Sequence, residues 1–122
     1  MNTFSSGDDA LMRLRDALRQ FAAERDWDQF HSPKNLAIAL NVEAAELLEA
    51  FQWMTEGESR AIEPATRAKV QEELADVLLY LIRIADKLDV DLVAAATEKL
   101  RINAAKYPID KARGNAKKYT EL

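Results

Sequence analysis

Only three prolines interrupt this 122-residue chain, and each stands where a predicted helix begins or ends. Pro33 and Pro64 suit the first turn of a helix, because proline lacks the N–H that this position leaves unbonded. Pro108 cannot continue a helix and should end one. Only three glycines accompany them, which leaves few turns for an all-β fold. The chain is also rich in Ala, Leu, Glu, Lys and Arg, so the composition predicts long helices.

Apolar residues at helical spacing predict four helices, over about residues 8–25, 33–54, 64–88 and 91–107. Ser6 or Asp8 can cap the first helix, Ser32 the second, and Asp89 or Asp91 the fourth. A basic tail, 108–122, follows without clear periodicity. We therefore predict one all-α domain over 1–122, a four-helix bundle with its core at about 8–107. Alanine-rich stripes in the fourth helix suggest close contacts with a second subunit.

Several classes of protein are excluded by what the sequence lacks. Without cysteine there is no disulfide, thiolate nucleophile or zinc–thiolate site. No signal-peptide pattern and no uncharged run long enough for a bilayer is present, so we expect a cytoplasmic protein without membrane contact. The net charge of −4 argues against nucleic acid as a partner. A small anionic substrate remains compatible if a divalent cation supplies positive charge.

Glu43 stands in the middle of the apolar stripe of the second helix. At about 100° per residue, Leu36, Leu40 and Leu47 lie within roughly 60° of it. Solvating Glu43 would therefore expose large apolar side chains, and burying it unpaired would cost several kcal/mol. A buried Arg or Lys, a shared proton or a metal ion could compensate it. Glu46, three residues on, lies at the edge of the same stripe.

The third helix carries a polar stripe that includes Glu73, Asp76, Tyr80 and Arg83. Taken alone, this stripe could be the wet face of a surface helix or the lining of a cleft. Glu73 and Asp76 repeat the three-residue spacing of Glu43 and Glu46, so two antiparallel helices would bring the pairs together. Four converging carboxylates repel one another unless a cation joins them. An all-oxygen set suits Mg²⁺, with Mn²⁺ as a substitute.

The stretches E-A-A-E-L-L-E at 43–49 and E-E-L-A-D at 72–76 resemble the E-x-x-E…E-x-x-D signature of the MazG-type pyrophosphohydrolases. The resemblance is strongest to the dCTP pyrophosphatase branch of this all-α superfamily, through D-W-D-Q-F-H-S-P-K-N-L at 26–36, F-Q-W at 51–53 and the closing K-Y-T-E-L. It covers nearly the whole chain. It implies hydrolysis of a nucleoside triphosphate, dCTP or a modified dCTP, to the monophosphate and pyrophosphate, by a homo-oligomer, dimer or tetramer, with the site near a subunit interface.

The resemblance also implies roles for individual residues. The metal ligands would be Glu43, Glu46, Glu73 and Asp76, and the catalytic carboxylates would include Glu43 and Glu46, with Glu49 and Glu72 as supporting or base residues. The substrate would be bound by a larger set: Trp27, His31, Trp53, Lys99, Asn103, Lys106 and Tyr107. Tyr80, one turn after Asp76, could contact the substrate as well or only support the site.

Plainer interpretations stand beside these. Either tryptophan could belong to a core or an interface, and the single histidine could be a hydrogen-bonding loop residue. For the protein as a whole, the alternatives are a non-catalytic helical oligomer, whose inward carboxylates pair with Arg or Lys of another chain, and a regulatory module that binds nucleotide or metal without turnover.

Overall fold

The structure is a computed structural model that describes residues 6–122, with side chains from residue 10 onward. Its described part is all-helical and contains no strand. The elements in chain order are α1 (Ser6–Glu24), a 3₁₀ turn (Asp28–Phe30), α2 (Pro33–Glu49), α3 (Glu56–Ser59), α4 (Pro64–Lys87), α5 (Leu92–Lys106), α6 (Ile109–Ala112) and a second 3₁₀ turn (Tyr119–Glu121). The prediction of four long helices is confirmed.

The predicted helix starts are confirmed where the structure describes them. Ser32 caps α2, its side chain accepting a hydrogen bond from the backbone N–H of Asn35 at 3.1 Å. Asp91 caps α5 in the same way, through the N–H of Ala94. These caps satisfy N–H groups that the first turn of a helix leaves without a partner. The side chains of Ser6 and Asp8, predicted as caps of α1, lie outside the described residues.

The second helix ends earlier than predicted, at Glu49 rather than near residue 54. Residues 51–54 form turns instead. The reason lies just beyond them, where Thr55 adopts an extended conformation and caps α3. Its side chain accepts from the N–H of Glu58, whose carboxylate accepts in turn from the N–H of Thr55, a capping box. This short helix, between the second and third predicted helices, was not predicted.

The chain forms two compact units, one ending at Asp89 and the other running from Val90 to Leu122. In the first unit, α2 packs along α4, and α1 also packs against α4. Its buried apolar residues come from all three helices: Ala22, Leu36, Val70, Ile82 and Ala85. The assignment of 1–122 as one domain, and the arrangement of α5 with the other helices, stay predictions.

Within the second unit, the end of the chain folds back onto the end of α5. The ring of Tyr119 packs edge-on against Tyr107, with 6.2 Å between ring centroids. The ammonium of Lys106 lies 4.8 Å from the centre of the Tyr119 ring, within cation–π distance. The closing K-Y-T-E-L segment is therefore packed onto its own unit.

Among the helices of the described residues, none is long and apolar enough to cross a membrane.

Candidate active site

Helix α2 directs Glu43 toward the inside of the first unit, as its place in the apolar stripe predicted. Leu36, two turns earlier, is almost fully buried, and Leu40 and Leu47 are half-buried. The Oε2 atom of Glu43 is buried and has no hydrogen-bond partner. Such an atom costs free energy unless something outside the described chain satisfies it.

Helix α4 directs its polar stripe inward as well, which decides between the two interpretations offered for it. Glu73 is only 7% exposed, and its Oε2 also lies buried without a partner. The ammonium of Lys69 lies 3.9 Å from the other oxygen of Glu73. Meanwhile Leu74 and Leu78, on the apolar arc, lie exposed in the single chain. The stripe is thus the lining of a cleft between helices.

Three of the four predicted metal ligands meet at this point. Glu43, Glu73 and Asp76 each offer one carboxylate oxygen, and these oxygens all lie within 4.8 Å of one another. Burial and, after it, the neighbouring carboxyl groups of Glu73, Glu46 and Asp76 raise the pKa of Glu43 from 4.5 to about 7. Around neutral pH the cluster holds its charges only at a cost, which a proton or a cation relieves.

A divalent cation fits this group of residues. Two buried carboxylate oxygens without partners provide free lone pairs, and all donors are hard oxygen atoms. Among the described residues, Lys69 is the one cationic side chain in contact with the cluster, and it reaches one oxygen of Glu73. Glu43, Glu73 and Asp76 are therefore the residues that could hold Mg²⁺ or Mn²⁺.

The other predicted acidic residues lie around this group. Glu46 is half-buried and close enough for its charge to raise the pKa of Glu43, but it is not one of the three residues whose oxygens converge. Glu49, the last residue of α2, and Glu72 on α4 are both exposed. Their catalytic roles stay predictions.

A pocket of about 200 Å³ opens beside the carboxylates. Asp76 belongs to both, so a ligand in the pocket can reach the carboxylate cluster. The walls come from α1, the loop after it and α4: Leu18, Phe21, Ala22, Trp27, His31, Asp76, Leu79, Tyr80 and Arg83. Burial, and then the charges of Glu43 and Asp76, raise the pKa of Tyr80, so its hydroxyl stays protonated and can donate a hydrogen bond.

Two of the predicted substrate-binding residues, Trp27 and His31, stand together in the pocket wall. Their rings pack edge-to-face at 6.3 Å, and Trp27 packs similarly on Phe21 at 5.6 Å. Both flank the 3₁₀ turn that joins α1 to α2. This wall offers aromatic surface to a flat ring, which suits a nucleobase.

The remaining predicted binding residues are not among those that line this pocket. Trp53 follows α2 and is 90% exposed in the single chain. Lys99, Asn103, Lys106 and Tyr107 recur along one side of α5 in the second unit, where Tyr107 and Lys106 contact Tyr119. Their contact with substrate stays a prediction.

Five residues of the pocket received no role from the sequence: Leu18, Phe21, Ala22, Leu79 and Arg83. Leu18 and Phe21 belong to the apolar stripe of α1 and gave no signal other than that of core residues. Arg83 had one, because it lies in the polar stripe of α4 two turns after Asp76. A cationic side chain in that stripe is a signal of a partner of opposite charge. In the structure Arg83 is only 5% exposed.

The comparisons with known proteins agree with this geometry. Residues 38–122 match the model of the MazG-like family. The dCTP pyrophosphatase 1 of Homo sapiens is 48% identical over 119 residues, 96% of this chain and 70% of the relative, and that of Rattus norvegicus is 46% identical over the same shares. A pyrophosphatase from Archaeoglobus fulgidus, of known crystal structure, superposes with a TM-score of 0.76 at 36% identity, over 88% of this chain and 98% of the other. The chain belongs to the MazG-like family.

Proposed function

We propose that this protein is a Mg²⁺-dependent nucleoside triphosphate pyrophosphohydrolase that converts dCTP, or dCTP modified on its base, to the monophosphate and pyrophosphate in the cytoplasm. The observation that carries the proposal is the sharing of Asp76 between an aromatic pocket and a group of three carboxylates. The names of the relatives support the class of reaction and the cytosine base.

The chain's own residues suit the two ends of such a substrate. Trp27 and His31 provide an aromatic wall for the base in a pocket of about 200 Å³. Tyr80 lines the same pocket and is close enough to Glu43 and Asp76 to feel their charges, so its hydroxyl could donate to the sugar or to the α-phosphate. The cytosine preference rests on the relatives, since an aromatic wall binds any base.

Glu43, Glu73 and Asp76 would hold the cation, with Glu46 as a further ligand. When bound, Mg²⁺ neutralises phosphate charge and aligns the triphosphate for attack by water. In this reaction, water forms a bond to the α-phosphorus. The bond from that phosphorus to the oxygen that bridges the α and β phosphates breaks, so pyrophosphate leaves. One proton of the water passes to a carboxylate that is not fully engaged, for which Glu46, Glu49 and Glu72 are the candidates.

A second copy of the chain is part of the proposal. Leu74, Leu78, Leu81 and Leu88 of α4 are exposed and lie within about 80° on one side of the helix. A row of leucines of this kind is unusual on a monomer and typical of an interface between subunits. We propose that it packs against another copy in a dimer or tetramer, and that Trp53 and the α5 residues meet substrate there.

The test is a product assay with isotope. Purified protein is incubated with each common NTP and dNTP, with Mg²⁺ or with EDTA, in water enriched in ¹⁸O. We expect pyrophosphate without orthophosphate, the highest rate with dCTP or a 5-substituted dCTP, and ¹⁸O in the monophosphate. Asp76→Asn should lower kcat at least about 100-fold, whereas Glu56→Gln, an exposed control on α3, should leave it unchanged.

Two outcomes would reject the proposal. Orthophosphate as the first product would mean attack at a terminal phosphate. Binding of dCTP without any turnover, under conditions where the protein is folded and Mg²⁺ is bound, would favour a regulatory module instead.

A further inference from the structure

Among the described residues of the first unit, Arg83 is the most buried charged residue, and it lies outside the carboxylate cluster. Its guanidinium has three partners: Nε donates to Nδ1 of His31 at 3.2 Å, Nη2 donates to Asp28 at 2.7 Å, and Nη1 lies 3.7 Å from Asp86. A buried guanidinium is stable only when it is paired in this way. Arg83 therefore ties α4 to the loop that carries the aromatic wall.

The two aspartates do not depend on Arg83 alone. Asp28 also accepts a hydrogen bond from Lys87, and Asp86 accepts two from Arg19. Loss of the guanidinium would leave each aspartate with one cation. The ring of His31 differs from the two aspartates, because among the described residues only Arg83 donates a hydrogen bond to it.

This contact fixes the position of the proton on His31. An arginine side chain has five N–H donors and no acceptor, so Nδ1 of His31 must accept. A neutral imidazole that accepts at Nδ1 carries its proton at Nε2. Burial, and then the positive charges of Arg83 and Lys87, lower the pKa of His31, which agrees with a neutral ring.

The fixed ring belongs to the pocket wall. His31 and Trp27 both line the pocket, and Arg83 donates a hydrogen bond to Asp28 in the 3₁₀ turn between them. We propose that Arg83 is a positioning residue that holds His31 as an Nε2–H donor in the wall of the pocket and thereby sets how tightly the base of the nucleotide is bound. The effect on binding of the base rests on the proposed function, whereas the position of the proton on His31 does not.

The first measurement needs neither nucleotide nor turnover. His31 is the single histidine of the chain, so long-range ¹H–¹⁵N correlation spectra of the labelled protein report its tautomer without assignment. In the wild-type protein, above the titration of the ring, we expect the Nε2–H tautomer alone. In Arg83→Met, which has no donor, we expect both tautomers in exchange. Arg101→Met, which removes an exposed arginine paired only with Glu98, should leave the spectrum unchanged.

The second measurement is steady-state kinetics with the best nucleotide substrate. Because the loss affects positioning of the base and leaves the carboxylates in place, Arg83→Met should raise KM about tenfold and change kcat less than about twofold. Arg83→Lys keeps the charge without the planar fork of donors and should give an intermediate KM.

Distinct results would overturn the proposal. A wild-type His31 protonated at Nδ1 would exclude the hydrogen bond, whether or not the protein is an enzyme. If Arg83→Met does not fold, Arg83→Lys decides, and a wild-type KM with a single unchanged tautomer in that variant would show that the fork is not needed. A fall in kcat at constant KM would assign Arg83 to the chemistry instead.

Discussion

Replacement of Glu43 by glutamine should stabilise the cation-free protein while abolishing its activity. The environment of Glu43 raises its pKa from 4.5 to about 7. One pKa unit corresponds to about 1.4 kcal/mol, so keeping this carboxylate ionised in the folded protein costs up to about 3.5 kcal/mol. This figure is an upper bound, because Glu43 titrates together with its neighbouring carboxyl groups. Glutamine has nearly the same shape and no charge to lose.

The sign of the pH dependence follows from the direction of this pKa. The folded protein binds the proton more tightly than the unfolded chain, so its free energy of unfolding falls as pH rises from 4.5 through about 7 and is constant above. The Glu43→Gln variant does not lose this free energy of unfolding, because it has no carboxyl group to ionise at this position. At pH 8 in EDTA its melting temperature should exceed that of the wild type by several degrees, since about 1 kcal/mol moves Tm by about 4 °C in a chain of this size. At pH 5 the two should nearly coincide.

Thermal melts followed by circular dichroism test this at both pH values, with EDTA and with Mg²⁺. Added Mg²⁺ should raise Tm of the wild type and not that of the variant. Glu56→Gln, on the exposed surface of α3, controls for general effects of removing a negative charge. A Glu43→Gln variant that is less stable than the wild type at pH 8 in EDTA, or that has the same advantage in Tm at pH 5, would contradict a destabilising charge at Glu43.

Three further predictions concern the proposed oligomer, a helix cap and the histidine. Leu78→Glu should dissociate the assembly by placing a charge among exposed leucines, which multi-angle light scattering would detect. Thr55→Ala removes one hydrogen bond of the capping box at α3 and should lower the free energy of unfolding by about 1 kcal/mol in urea titrations. His31 should titrate below 6.5 by NMR, since its pKa is lowered, so its contribution to stability is present above pH 6.5 and lost as pH falls through that lower pKa.

Each has a control and a contrary result. For the oligomer, Met12→Glu, on a helix outside the leucine row, should leave the mass unchanged, and an intact assembly in Leu78→Glu would exclude that surface. For the cap, Thr55→Ser should behave as the wild type, and an equal loss in both variants would mean that the methyl group matters. For the histidine, a midpoint at or above 6.5 would contradict both its burial and its bond to Arg83.

The sequence was informative wherever a residue contradicted its surroundings. Glu43 stands in an apolar stripe, and that conflict predicted a carboxylate that needs a compensating group; in the structure its Oε2 is buried without a hydrogen-bond partner. Proline and cap residues marked the starts of α2, α4 and α5, because these signals act locally along the chain.

The features that the sequence did not predict depend on which elements pack against one another in the fold. Periodicity separated the polar and apolar sides of α4 but could not tell that Glu73 and Asp76 of the polar side would meet Glu43 of α2 while Leu74 and Leu78 lie exposed in the single chain. The bond between Arg83 and His31 joins residues 52 positions apart, beyond the reach of any local pattern. The early end of α2 was missed because the capping box at Thr55 overrides the helix propensity of the residues before it.

The central claim is that Glu43, Glu73 and Asp76 together hold the divalent cation. Crystals grown with Mn²⁺ and measured above its absorption edge test this most directly, through the anomalous difference map. We expect a peak in contact with a carboxylate oxygen of each of the three residues, and we expect its loss in Glu43→Gln. A fully active protein whose only manganese peak lies away from these carboxylates would contradict it.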